Sequence, residues 1–226
     1  MNQTLINAPS LANCSLLTLG EEAALLAKGG VEWFHIDIMD GNYVPNLCFP
    51  LKVIGELKAA HPAVLTDVHL MVEHPEAYVE RLKNEGADYV SFHTDSTRFS
   101  RRLLESIRAH GMKAGVVLNP SQRVDSLVPL LDFLDYVVLM SVEPGFAGQT
   151  FMPEAVERLK ELVALRGERE FLISVDGGID HAHAKECARL GANVFITGIY
   201  TVFRQGMPLD QACRAFQKEI CEAAEG

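Results

Sequence analysis

Hydrophobic positions along the chain change period repeatedly. Short apolar, β-rich runs recur: TLINA, VEWFHIDIM, AVLTDVHLM, ADYVSFH, KAGVVLN, DYVVLMS, FLISVD and ANVFITG. Between them lie stretches with apolar residues three and four apart, from EEAALLAKGG and FPLKVIGELKAAH through PEAYVERLKNEG, SRRLLESIRAHG, VDSLVPLLDFL, PEAVERLKELVALRG and HAKECARLG to PLDQACRAFQKEICEA. The first pattern is that of buried strands, the second that of amphipathic helices, several closed by glycine. Strands that alternate with helices run parallel through crossover connections. Eight such units in 226 residues predict one α/β domain over 1–226, a (β/α)8 TIM barrel with short loops. The runner-up, an open doubly wound sheet, lacks the GxGxxG expected after its first strand.

Polar residues interrupt the strands mainly at their C-terminal ends, where a barrel of this kind gathers reactive groups. His35 and Asp37 are two apart and share one side of a strand; Asp67 and His69 repeat the spacing on the next. Asp176 follows FLISV, and Ser10 closes the first strand. A single histidine there is more often a hydrogen-bonded core residue than a ligand. Several charges gathered at one barrel end must be paired or must coordinate something. Strand positions alone leave a divalent-metal site and a buried hydrogen-bonded cluster equally open.

Three glycine-bearing loops follow later strands: EPGFAGQ at 143–149, VDGGID at 175–180 and ITGIY at 196–200. Their backbone can approach a ligand closely, and amides at helix starts bind anions, so together they suggest a phosphorylated ligand. Met39, Met71 and Met140 each end a strand; packing is the default for methionine, yet three at one rim can shield a reaction centre. His93 ends strand four and faces the mouth, Asp180 reads as an N-cap, and His61, His74, His110, His181 and His183 read as surface residues. No G-x-S-x-G elbow and no cysteine–histidine neighbourhood points to acyl transfer.

Composition narrows the partners. A net charge of −10 argues against nucleic acid and anionic membrane. Five scattered cysteines without a CxxC pair argue against a disulfide framework and a thiolate zinc site. No run approaches the roughly 20 apolar residues of a membrane span, and MNQTLINAPSL has no basic or apolar leader character. A soluble, cytoplasmic protein is expected.

The segments APSL (8–11), HIDIMDGNYVPN (35–46), DVHLMVEHP (67–75), MKAGVVLNP (112–120), LMSVEPGFAGQTFMPE (139–154) and SVDGGI (174–179) resemble the ribulose-phosphate 3-epimerase family over nearly the whole chain. That resemblance implies one divalent metal (zinc, iron, manganese or cobalt) held by His35, Asp37, His69 and Asp176. It implies Asp37 and Asp176 as the acid–base pair. A small phosphorylated ketose would be contacted by Ser10, His69, the Gly145-Phe146-Ala147-Gly148 loop, Gly177, Gly178 and the turn at Gly198 and Ile199. A homo-oligomer is a family-level expectation.

Three features depart from the family pattern: ANCSL at 12–16 in place of a Ser-Ala-Asp-Phe run, Ile199 followed by Tyr200 where the family has a small residue, and Asp95 in place of a glutamate. The same motifs also look like the related D-allulose-6-phosphate 3-epimerases, which leaves D-ribulose 5-phosphate and the hexulose phosphate as alternative substrates. A lyase or decarboxylase on this barrel would want a lysine at a strand's C-terminal end, whereas Lys113 begins strand five. A non-catalytic sugar-phosphate binder is the remaining alternative, against which the intact His35, Asp37, His69 and Asp176 set argues.

Overall fold

The structure, a computed structural model, describes residues 4–204 and 206–225. Eight parallel strands form its centre: β1 (Ile6–Pro9), β2 (Trp33–Asp40), β4 (Leu65–Met71), β5 (Tyr89–His93), β6 (Lys113–Leu118), β7 (Tyr136–Met140), β8 (Leu172–Asp176) and β9 (Val194–Thr197). A short β3 (Leu47–Cys48) pairs antiparallel with Met39 and Asp40 and folds the 41–46 loop back over the rim. Each long strand pairs with its neighbour around the ring, and β1 pairs with β9. A parallel bridge between Ser10 and His35 joins the first strand's end to β2 and closes the barrel.

Helices α1 (Leu19–Lys28), α2 (Lys52–Ala60), α3 (Val79–Glu85), α4 (Ser100–Ala109), α5 (Glu154–Arg166), α6 (His181–Leu190) and α7 (Leu209–Glu225) cover the outside. The final helix packs between α6 and α1 and completes the outer ring. Each presents an apolar stripe inward; Leu104 and Ile107 of α4 and Phe216 and Ile220 of α7 are essentially inaccessible to solvent. Burying one such side chain contributes about 1.5–3 kcal/mol. None of the described helices is long and apolar enough to cross a membrane.

One expected helix takes another form. VDSLVPLLDFL folds as 3-10 turns over Val124–Phe133 with Pro129 inside, because proline supplies no amide proton and its ring crowds the preceding turn of an α-helix. PEAYVERLKNEG likewise begins as a 3-10 turn at Pro75–Tyr78 before α3.

Inside the barrel, side chains alternate with those facing the helices. Ile6, Trp33 and Val194 fill the lower end. Tyr136 joins Trp33 edge-on from β7, and above them stand His35, Asp67, Ser91 and Ser174, all buried. The next two-residue step along the strands brings Asp37, His69, His93 and Asp176 to the upper end.

Candidate active site

Strand register assembles the site from two successive levels of the barrel. His35 stands opposite Asp67 and Asp37 opposite His69 across β2 and β4, while Asp176 ends β8 between Met140 of β7 and Ile196 of β9. His35 and His69 are fully buried, Asp37 is 7% exposed and the Asp176 side chain 15%. Asp37 Oδ1 lies 3.3 Å from His35 Nε2 and 3.4 Å from His69 Nδ1. Asp176 Oδ2 lies 3.8 Å from His35 Nε2 and 3.6 Å from His69 Nδ1. One ligand atom from each of the four residues falls within 4.8 Å of all the others.

This group can hold a metal ion. His35 Nε2 and His69 Nδ1 are buried ring nitrogens without a hydrogen-bond partner, a costly state for polar atoms that nothing compensates. Nitrogen and oxygen donors sharing one ion each stand about 2.0–2.2 Å from it, and the observed separations suit such sharing. The electrostatics point the same way. Burial disfavours a charged His35, but Asp37 and Asp67 outweigh it and hold the ring well above its ordinary value. For His69, burial is likewise overcome by Asp176 and Asp37. Asp37 resists the effect of burial because His35 and His69 hold it far below the usual carboxylate range. Positive charge is wanted at this point, and protons on histidine and a bound cation are competing ways to supply it.

Further side chains fix the four. Ser10 Oγ donates to Asp37 Oδ2 at 2.8 Å. His35 Nδ1 is 2.7 Å from Asp67 Oδ2, and His69 Nε2 is 2.8 Å from His93 Nε2. His93 therefore stands behind His69, fully buried, and does not line the pocket. Asp67, which the sequence places with the mouth residues through its spacing to His69, instead stands behind the His35 ring, on Nδ1, while Nε2 faces Asp37 and Asp176. His181 and His183 are less exposed than expected: one binds Glu219 and the other stacks on Phe151. The Asp180 cap forms as expected, on the His183 amide.

Above the four residues opens a pocket walled by Met39, Met71 and Met140 and by the glycine loops. At Gly178, φ is +60° and a Cβ would stand 2.5 Å from both Gln149 O and Phe151 N, so only glycine fits. The 143–149 loop is pinned by Asn46 Nδ2 to Gly145 O at 2.8 Å and by Tyr200 Oη to Gly148 O at 2.8 Å. Asn13 lies beside Gly198, and Ile199 beside Gly148. The unusual 12–16 and 199–200 segments thus meet on one side of the pocket, a neighbourhood that no local sequence signal reveals. The third departure, Asp95, accepts from Tyr43 Oη at 2.9 Å and from Asn119 Nδ2 at 3.1 Å, away from the four residues. Lys113 starts β6 at the opposite end and pairs with Asp135 at 3.4 Å.

Fold and site together define a barrel with a candidate metal centre and a glycine-lined pocket at one end. The family model described as the ribulose-phosphate 3 epimerase family matches residues 6–203. A ribulose-phosphate 3-epimerase of Bacillus subtilis is 37% identical over 194 residues, covering 84% of this chain and 89% of that one. The cytoplasmic isoform of Oryza sativa is 40% identical over 196 residues, covering 84% of each. The chain belongs to the ribulose-phosphate 3-epimerase family. Among solved structures, KGPDC from Streptococcus mutans superposes with a TM-score of 0.74 at 16% identity, covering 98% of this chain and 99% of its own. Orotidine 5'-phosphate decarboxylase of Pyrococcus horikoshii gives 0.64 at 17%, with 98% and 100% coverage. These last two establish the barrel alone.

Proposed function

We propose that this chain interconverts D-ribulose 5-phosphate and D-xylulose 5-phosphate, with one divalent ion held by His35, Asp37, His69 and Asp176. Support comes chiefly from two carboxylates, Asp37 and Asp176, brought to one pocket floor from strands separated by β1 and β9 around the barrel. Inverting the carbon beside a ketone requires a proton to leave one face and another to arrive on the opposite face. Asp37 and Asp176 form the acid–base pair, each acting as base in one direction and acid in the other. The Ser10 hydroxyl holds Asp37 in one orientation for that exchange. Asp176 turns Oδ2 toward the histidines, leaving Oδ1 for the substrate. A divalent ion there supplies Lewis-acid charge against the negative charge that develops on the substrate oxygens. The donor set of two imidazoles and two carboxylates suits zinc, iron, manganese or cobalt.

Met39, Met71 and Met140 keep water from the exchanging protons. The backbone of the 145–148 loop, Gly177, Gly178 and the Gly198–Ile199 turn receives the phosphate. The chain works in the cytoplasm as a homo-oligomer, and light scattering on purified protein tests the assembly.

The decisive experiment is proton NMR in D2O with metal-replete protein and D-ribulose 5-phosphate. Deuterium enters C3 as the xylulose epimer forms. Absence of exchange at high protein concentration, with several divalent cations supplied in turn, overturns the assignment. A parallel sample with D-allulose 6-phosphate measures the six-carbon alternative. Asp176→Asn is expected to lower turnover by about 10²–10⁴-fold; a non-catalytic binder would change only in affinity.

A further inference from the structure

Beneath the four residues lies a support that reaches across the barrel. Asp67 Oδ2 contacts His35 Nδ1 at 2.7 Å, and Tyr136 Oη donates to Asp67 Oδ1 at 2.7 Å. All three side chains are fully buried. His35 and Asp67 come from adjacent β2 and β4, but Tyr136 opens β7, on a distant part of the ring. Its ring crosses the interior because its register partner on β6 is Gly115, where a Cβ would overlap the ring. Among the described residues no lysine or arginine pairs with Asp67; its partners are an imidazole and a phenol. A buried carboxylate partnered in this way gives little stability over an apolar residue of similar size. Packing therefore does not account for it.

We infer that Asp67 and Tyr136 are positioning residues for the metal centre: Asp67 accepts the proton on His35 Nδ1, which turns the Nε2 lone pair toward the ion, and Tyr136 keeps Asp67 aimed. A carboxylate behind a ligating imidazole fixes its tautomer and ring orientation and raises its basicity. His69 has a different support, the imidazole of His93, so the two histidine ligands are unequal and His35 is the stronger donor. This inference rests on the metal assignment made above and is independent of which sugar is bound.

The test uses the full chain loaded with zinc or cobalt(II), and compares the wild type with Asp67→Asn and Tyr136→Phe. Asp67→Asn is expected to weaken zinc binding, read by chelator competition, by about 10–100-fold, and to shift the visible bands of the cobalt(II) protein. Tyr136→Phe keeps the ring and loses only the hydroxyl; its effect is smaller and in the same direction. A purely structural role would change thermal stability and leave both readouts in place, so wild-type affinity and unshifted bands in either variant overturn the inference. Should a variant fail to fold, nitrogen–proton correlation spectra of the ¹⁵N-histidine, zinc-loaded wild type decide: His35 carries its proton on Nδ1, and a proton on Nε2 overturns the proposal. A wild type that binds neither zinc nor cobalt(II) defeats the metal assignment itself, a result separate from unchanged variants.

Discussion

His35 and His69 each direct an unpartnered nitrogen at Asp37 and Asp176, and this explains why polar side chains occupy an otherwise apolar strand. The pH behaviour follows. A histidine whose folded value is raised contributes stability that is fully present below its ordinary 6.5 and lost as pH rises through the raised value. Asp37, held down, contributes the opposite way, and its share is lost only in strong acid. Metal-free protein should therefore lose thermal stability from pH 6.5 upward, while the increment from added manganese or zinc grows over the same range. Scanning fluorimetry with and without the ion checks both trends; an increment that shrinks with rising pH contradicts the competition between protons and metal. Spacing along the strands makes His35, Asp37 and His69 legible in the sequence, since a period of two determines the face. The same period does not tell Asp67 from a ligand, because Asp67 stands level with His35 and only the turn of the His35 ring, Nδ1 to Asp67 and Nε2 to Asp37, separates them. Tyr136 carries no sequence signal at all: its role depends on an absent side chain at Gly115, a fact of three dimensions.

At the scale of elements, the loop after β8 is the most constrained part of the pocket. Gly178→Ala must displace the 149–151 backbone or leave the left-handed region, at a cost of about 1–3 kcal/mol. A lower melting temperature and a higher KM are expected for this variant, with kcat less affected; unchanged KM would show that this turn does not shape the ligand pocket. Tyr200→Phe removes the hydrogen bond to Gly148 O, worth about 0.5–1.5 kcal/mol. It should loosen the 143–149 loop, seen as faster amide exchange at Ala147 and Gly148 with little change in global stability. The eight strand–helix units are readable because apolar period and glycine stops repeat along the whole chain. The 3-10 form of Val124–Phe133 is hidden by its helix-like spacing, with Pro129 as the one available warning. The β3 hairpin is too short for periodicity to register.

For the molecule as a whole, one ion would tie β2, β4 and β8 together. Ligand at a hundred times its Kd adds about 2.7 kcal/mol, which for a domain of this size raises the melting temperature by roughly 5–10 °C. A chelator should reverse the gain, and Asp176→Asn should abolish most of it; an unmoved melting curve on metal addition argues against the four-residue site. The barrel's closure has a further consequence. The bridge from Ser10 to His35 lies on the seam between the chain's first and second strands, while the strands completing the circle, β8 and β9, come late in the sequence. On a translating ribosome, His35, Asp37 and His69 therefore emerge early but wait for Asp176 and for the strand that docks beside β1. Metal capture with the full donor set therefore waits for β8, and the competition for ions is met only after the strands from β1 to β8 have been made.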